Sequence, residues 1–306
     1  TVVVEADESD GSFLKLSPTL AVITNLEPDH LDYYQDEADL HAHVRRFLTD
    51  LVNRGGQLVY NADDPVLQTL VDQTMPADQA HGYGTQPQAR CRLLSHQIDE
   101  GGQQLSFQVD QHRVEARLPV MGYHNAHNAA AAVLTAHLLG QSPSQIAQGL
   151  AQFKGTLRRQ TLVGQLPKGS LVYDDYGHHP TEILATMAAF RAHFSGHLTL
   201  VFQPHRYTRT RDFWAAFVQA LAQAADTLIL LDVYAAGESP LPTIDSPHMM
   251  ADIHQASDHP QANSWSYQPS FDAAHDLLIA SDSPNQVIIT MGAGSITQLA
   301  RKLVDQ

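Results

Sequence analysis

Cysteine is nearly missing from this sequence, with Cys91 the only one in 306 residues. One thiol can form neither an internal disulfide nor a thiolate metal cluster, and it suits a reducing compartment such as the cytoplasm. Long apolar runs are missing too. No stretch approaches the roughly 20 residues that span a bilayer, and no charged-then-apolar leader precedes Thr1, so neither membrane insertion nor secretion is expected. Positive charge is scarce. Eighteen Lys and Arg against 33 Asp and Glu leave a net charge of −15, which repels polyanions and disfavours nucleic acid as a partner. The 43% hydrophobic content is nonetheless that of a soluble globular chain, long enough for two buried cores.

Against that acidic background the clustered cations become informative. Arg158-Arg159 form one group and Arg206, Arg209 and Arg211 another, and both read as local anion sites. The second lies in the turn Gln203-Pro204-His205-Arg206-Tyr207-Thr208-Arg209-Thr210-Arg211, directly after an apolar run at 198–202. A matching turn, Tyr173-Asp174-Asp175-Tyr176-Gly177-His178-His179-Pro180-Thr181-Glu182, places two carboxylates and two imidazoles between a strand and a helix. Open α/β sheets bind ligands at such strand ends. Asp175 there could take ribose hydroxyls, while His178, His179, His205, Arg206 and Arg209 could hold phosphate or carboxylate. Thr181, with Glu182 following, also reads as a helix cap.

The wider pattern is βαβ. Strands are expected at 1–4, 20–24 and 57–60, with a helix over 39–52, then an alternating, turn-rich antiparallel sheet over 91–118 with a hairpin at Gly101-Gly102. Helices follow at 125–139 and 143–153, and the first domain closes near Gly155. Beyond it, strands at 171–173, 198–202, 227–231 and 287–291 alternate with helices at 181–193, 212–224, 271–280 and 296–304. That alternation specifies a right-handed, doubly wound sheet. Gly292-Ala293-Gly294-Ser295 is only a partial glycine fingerprint, better explained by close strand-to-helix packing than by a nucleotide.

Three further segments carry chemistry. Glu5-Ala6-Asp7-Glu8-Ser9-Asp10 sets four carboxylates in six residues, which invites a divalent cation, with Glu5 nearest the strand tip. The alternative is an acidic loop capped by Ser9 and Asp10. Asn25-Leu26-Glu27-Pro28-Asp29-His30 ends the next strand in the same sense, so His30 could join that site or be structural. Asn125 and Asn128 stand three residues apart on one helical face, where a carboxamide can pair with an adenine edge or cap the helix.

Together with Gly122-Tyr123-His124-Asn125-Ala126-His127-Asn128-Ala129-Ala130 and Gly155-Thr156-Leu157-Arg158-Arg159, these segments run in order over essentially the whole chain and resemble the Mur ligase family. The resemblance implies an α/β chain in two parts: an incomplete central ATP-binding domain at 1–156, with a parallel sheet plus a small antiparallel one, and a Rossmann-like C-terminal ligase domain at 157–306. It implies ATP and Mg2+ as cofactors and an acyl-phosphate route that joins L-alanine to UDP-N-acetylmuramate for peptidoglycan. A relative that attaches a recycled peptide to the same sugar is the nearer alternative, a nucleotide-binding module without turnover the further one. By the same resemblance Glu5 and His30 bind magnesium, and Asn125 and Asn128 the adenine. Arg158 and Asp175 join the ATP site, Asp175 at the ribose. His178, His179, His205, Arg206 and Arg209 face the carboxylate and amino-acid site, with Tyr176 near the base.

Two departures stand out. No Gly-Lys pair occurs anywhere, so the family's phosphate loop is not in these residues, and 40–48 holds no lysine of the kind that several relatives carbamylate. The 306 residues alone are therefore expected not to complete turnover. ATP-dependent ligation by the isolated chain, measured as phosphate release, would overturn that expectation.

Overall fold

The computed structural model describes residues 1–30, 33–99 and 101–305. Its first elements are β1 (Leu20–Ile23), α1 (Glu37–Asn53), β2 (Gln57–Asn61), α2 (Pro65–Thr74) and β3 (Ala80–Gly84). The helix α1 exists because Leu40, Val44, Leu48 and Leu51 recur at helical spacing and are buried together, while Asp36 caps its start by accepting the Asp39 N–H at 2.8 Å. Asp64 caps α2 in the same way, with Pro65 in the first turn where no N–H is needed. Strands β4 (Cys91–Asp99), β5 (Gly102–Val109) and β6 (His112–Leu118) form the expected antiparallel set, followed by α3 (Tyr123–Leu138) and α4 (Pro143–Gln152).

Six strands in the order β1-β2-β3-β4-β5-β6 make one sheet, parallel as far as β4 and antiparallel beyond. The antiparallel part is therefore continuous with the parallel one. The seam between them is narrow: β3 and β4 pair through Tyr83 with Cys91 and Gly84 with Arg92, and just before β4 the Arg90 N–H donates to the Gly82 carbonyl at 2.8 Å. Cys91 is fully buried there, and burial, with the charge of Asp110 nearby, pushes its thiol up to about 12. Beside it Asp110 receives Arg90 through two 3.0 Å bonds and His137 of α3 at 2.9 Å, and the Arg90 bond leads in holding that carboxyl down to about 2.

The strand expected at 1–4 is not formed. Val2, Val3 and Val4 stand exposed, and none of the described strands pairs with them. An apolar run becomes a strand only where a neighbour accepts its backbone groups.

The second half contains β7 (Thr161–Gln165), β8 (Leu171–Asp175), α5 (Pro180–His193), β9 (His197–Phe202), α6 (Tyr207–Asp212), α7 (Trp214–Ala224), β10 (Thr227–Leu231), α8 (Ser246–Ala256), β11 (Ser266–Gln268), α9 (Phe271–Ala280), β12 (Gln286–Met291) and α10 (Thr297–Val304). The sheet order is β11-β10-β9-β12-β8-β7, all parallel except β7. Period-two alternation explains the layers. Leu198, Leu200 and Phe202 of β9 with Val287, Ile289 and Met291 of β12 pack against α5, α7 and α8, whereas Val201 and Ile288 pack against α9 and α10. The helix expected over 212–224 is α7, and a separate short helix, α6, precedes it across Phe213. Among the described residues no helix is long and apolar enough to cross a membrane.

By compactness the chain divides into one unit of Thr1–Pro119 with Tyr123–Phe153 and a second of Val120–Gly122 with the residues from Lys154 onward. The second unit carries a buried polar chain across its core. Ser170 donates to Gln286 Oε1 at 3.0 Å, and Gln286 Nε2 donates to Thr199 at 3.0 Å. Gln286→Leu keeps the volume but takes away the Thr199 partner, while Ser170 keeps the Ser283 carbonyl at 3.0 Å, so it should cost about 1–3 kcal/mol. Urea unfolding measures this, and a loss under about 0.5 kcal/mol would place the network outside the stability of the fold.

Candidate active site

In the second unit the parallel strands bring three turns to one edge of the sheet. The first leaves β8. Asp174 and Asp175 are both buried, and each is bound inward. Asp174 accepts from Thr297 at 2.8 Å and from Thr290 at 3.3 Å, with Arg158 Nε 3.5 Å away. Asp175 accepts the N–H groups of Gly177 at 2.7 Å and Gln160 at 2.9 Å. Burial raises the Asp175 pKa, and those two N–H groups with the Arg159 charge pull against it. Tyr176 then emerges half-exposed, with the guanidinium groups of Arg158 and Arg159 lying 4.7 and 5.6 Å from its ring centre.

The cap of α5 falls at His179 and not at the expected Thr181, because Pro180 occupies the first helical position. Glu182 reaches back to accept the His178 N–H at 2.8 Å and the His179 N–H at 3.1 Å, and Arg159 binds its other oxygen at 2.9 Å. Against the cost of its burial, the charges of His178 and Arg159 hold Glu182 below the usual carboxylate range. His179 is thus engaged as a cap, its ring against Phe213.

The second turn leaves β9. His205 pairs in parallel with Tyr234, beyond the ends of their strands, and the two rings stack at 5.5 Å. His178 approaches His205 with ring centres 6.1 Å apart, and Arg209, almost fully buried, places Nη1 3.4 Å from His205 Nδ1. His178, His205 and Arg209 are therefore brought together, and Arg206 begins the same short helix. Burial and then the charges of His178, Arg209 and Arg206 push the His205 pKa down to about 4, so this imidazole is neutral at pH 7.

The third turn follows β12. Its glycines are tied into the protein: Arg158 Nη2 donates to the carbonyls of Gly292 at 2.7 Å and Gly294 at 3.3 Å, and the Gly292 N–H donates to the Asp175 carbonyl at 3.1 Å. A side chain at Gly292, where φ is 152°, would meet the Gln203 carbonyl at 2.7 Å, and one at Gly294 would meet the Tyr234 ring at 2.7 Å. Close packing is the reason for both residues. Sequence reasoning did not single out Gln160, Tyr234 or Glu238. Gln160 acts through its backbone N–H, which no side-chain pattern marks, and the loop of Tyr234 and Glu238 has no charge run, although the αL residues Ala236 and Gly237 mark a tight turn.

In the first unit His30 Nε2 lies 3.3 Å from Glu8 and 3.6 Å from Asp29, whereas Glu5 is exposed on the chain before them. Among the described residues no group of three or more His, Cys, Asp or Glu is arranged as a metal cage. Asn125 and Asn128 are neighbours at the start of α3, 3.5 Å apart. Because the helix already begins at Tyr123, Asn125 lies inside its first turn and is not the cap.

The depressed His205 pKa has a signed consequence. A folded value of about 4 against roughly 6.5 in the unfolded chain means that the unfolded state takes up the proton first, so stability is lost as pH falls from about 6.5 to about 4. NMR titration of the His205 ring should give its midpoint near the lower value, and His205→Gln should remove this part of the acid loss. A ring pKa of 6.5 or above would contradict it.

Comparison with known proteins follows the same division. A Mur ligase middle-domain model matches residues 1–136, and a Mur ligase glutamate-ligase-domain model matches residues 158–294. The UDP-N-acetylmuramate--L-alanine ligase of Acidothermus cellulolyticus is 40% identical over 305 residues, covering 99% of this chain and 62% of that protein. Among solved structures, the UDP-N-acetylmuramate-alanine ligase MurC of Thermotoga maritima matches with a TM-score of 0.76 at 23% identity, over 98% of this chain and 62% of its own. The MurF ligase of Thermotoga maritima in complex with ADP matches with a TM-score of 0.74 at 16% identity, over 96% and 65%. The chain spans 61% to 65% of the length of the curated relatives that it matches. With both of its units matched in order to the middle and C-terminal domains of one family, this chain belongs to the Mur ligases.

Proposed function

We propose that the protein to which this chain belongs is an ATP-dependent amide ligase that joins L-alanine to UDP-N-acetylmuramate in peptidoglycan precursor synthesis. The observation that carries the reading is the convergence of His178, His205 and Arg209 at the strand ends of the second unit, in a sequence 40% identical to a relative of that name. In this reading the γ-phosphoryl group of ATP passes to the lactyl carboxylate, the amine of L-alanine attacks the acyl phosphate, and orthophosphate leaves. Such chemistry needs positioning and charge neutralisation more than covalent help from the protein.

Each group then has a part. Arg209, held rigid by burial, with Arg206 beside it on the same turn, meets the anionic oxygens of the sugar carboxylate and the acyl phosphate. His178 flanks them, His179 serves by capping the helix α5 that follows, and neutral His205 keeps an imidazole that adds no charge of its own at pH 7. Within the second unit Tyr176, with Arg158 at its face, offers an aromatic surface on which a base could stack. Within the first, Asn125 and Asn128 offer the amides that an adenine edge would pair with. Asp175 is assigned to the ribose by resemblance, although its oxygens already accept two backbone N–H groups and would have to share lone pairs.

Magnesium is proposed with ATP. Its usual protein complement is one or two carboxylates, with phosphate oxygens and water completing the shell, so the acidic stretch from Glu5 to Glu8 near His30 suits it without a protein cage. Of the two assigned residues Glu5 offers the preferred oxygen and His30 the less favoured nitrogen. When bound, the ion would neutralise phosphate charge. UDP-linked substrates and ATP place the reaction in the cytoplasm.

The deciding experiment is phosphate release from ATP by the full-length gene product with UDP-N-acetylmuramate, comparing L-alanine with the recycled tripeptide. Release that depends on L-alanine is expected, whereas release with the peptide alone would move the assignment to the recycling ligase. Arg209→Ala should lower kcat/KM by about 10- to 100-fold, the worth of a charge-assisted contact made in the transition state. An unchanged kcat/KM would remove Arg209 from the site.

A further inference from the structure

The helix α6 carries the arginine turn, yet no side chain of its own caps it, and its N-cap residue Arg206 has a φ of 68°. The missing cap comes from 30 residues away. Glu238 accepts the Thr208 N–H at 3.0 Å and the Thr208 hydroxyl at 2.6 Å, with Arg206 Nη1 3.9 Å from the same carboxylate. The loop after β10 is shaped to bring it there. Ala236 at φ 49° and Gly237 at φ 88° are both left-handed, and the turn closes with the Glu238 N–H on the Ala235 carbonyl at 2.9 Å. A non-glycine residue in that conformation is strained, and strain is kept where the surroundings require it. The loops are also zipped together by backbone bonds of 2.8 Å from Arg206 to Tyr234 and from Tyr234 to Pro204. Against the cost of its partial burial, the Thr208 bonds and the Arg206 charge keep Glu238 ionised.

We propose that Glu238 is a positioning residue for the ligation site: a cap supplied from a neighbouring loop of the same chain that fixes α6, and through it the directions of Arg206 and Arg209. This role rests on the ligase reading given above.

The test has two arms. In the 306-residue chain, Glu238→Ala should speed amide hydrogen exchange at Tyr207 and Thr208 by about tenfold or more, the loss expected when a charge-assisted acceptor is removed. Unchanged exchange at both amides overturns the cap. In the full-length gene product, Glu238→Ala should lower kcat/KM for UDP-N-acetylmuramate by about tenfold while leaving the KM for ATP in place, and Glu238→Gln, which keeps an acceptor for Thr208, should recover part of that loss. Wild-type values for Glu238→Ala in an active enzyme overturn the positioning role, as does an equal rise in the KM for ATP, which would signal general loosening. If the wild type itself shows no ligation dependent on L-alanine, the ligase reading fails while the exchange arm still judges the cap.

Discussion

A carboxylate buried in an α/β core must find hydrogen-bond donors, and much of the second unit's strand-end surface follows from how Asp175 finds them. Its oxygens take the N–H groups of Gly177 and Gln160, so one side chain pins both the turn leaving β8 and the segment entering β7. Pinning that segment brings Arg158 against the carbonyls of Gly292 and Gly294, and both Arg158 and Arg159 against the Tyr176 ring. Three separate stretches of sequence are thereby locked into one edge. The arginines that a linear reading marks as anion sites are partly engaged by the protein itself: Arg158 by carbonyls, Arg159 by Glu182, Arg206 by Glu238.

The regular elements were largely legible because they rest on local signals. The helix α1 has its apolar spacing, the strands β9 and β12 are short apolar runs between turns, and the Gly101 turn lies where two alternating strands meet. What escaped the sequence depended on partners. The strand β3 reads Ala-His-Gly-Tyr-Gly, poor in strand formers, and exists because β2 and β4 flank it. Val2 to Val4 fail for the converse reason, good strand formers without a neighbour. The cap at His179 was misplaced by two residues because the Pro180 ring sets where that helix can start.

The candidate site shows the same split. His178, His205 and Arg209 could be named from two turns, since position after an apolar strand indicates which end of the sheet a residue occupies. Tyr234 and Glu238 could not, because their part is to hold the second turn in place from a neighbouring loop, and nothing in linear order ties residue 238 to residue 208. The expected metal pair reads differently in space as well, with Glu8 in place of Glu5 beside the His30 ring.

The narrow seam of the first sheet has a use of its own. The lone thiol lies between the parallel and antiparallel halves, sealed from solvent and raised to about 12, so in the native state it is both hidden and protonated. Reagents that need a thiolate can reach it only when the structure packed around it opens. The chain thus contains a built-in reporter, free of competing thiols, whose labelling rate reads out how often the layer around Cys91 opens.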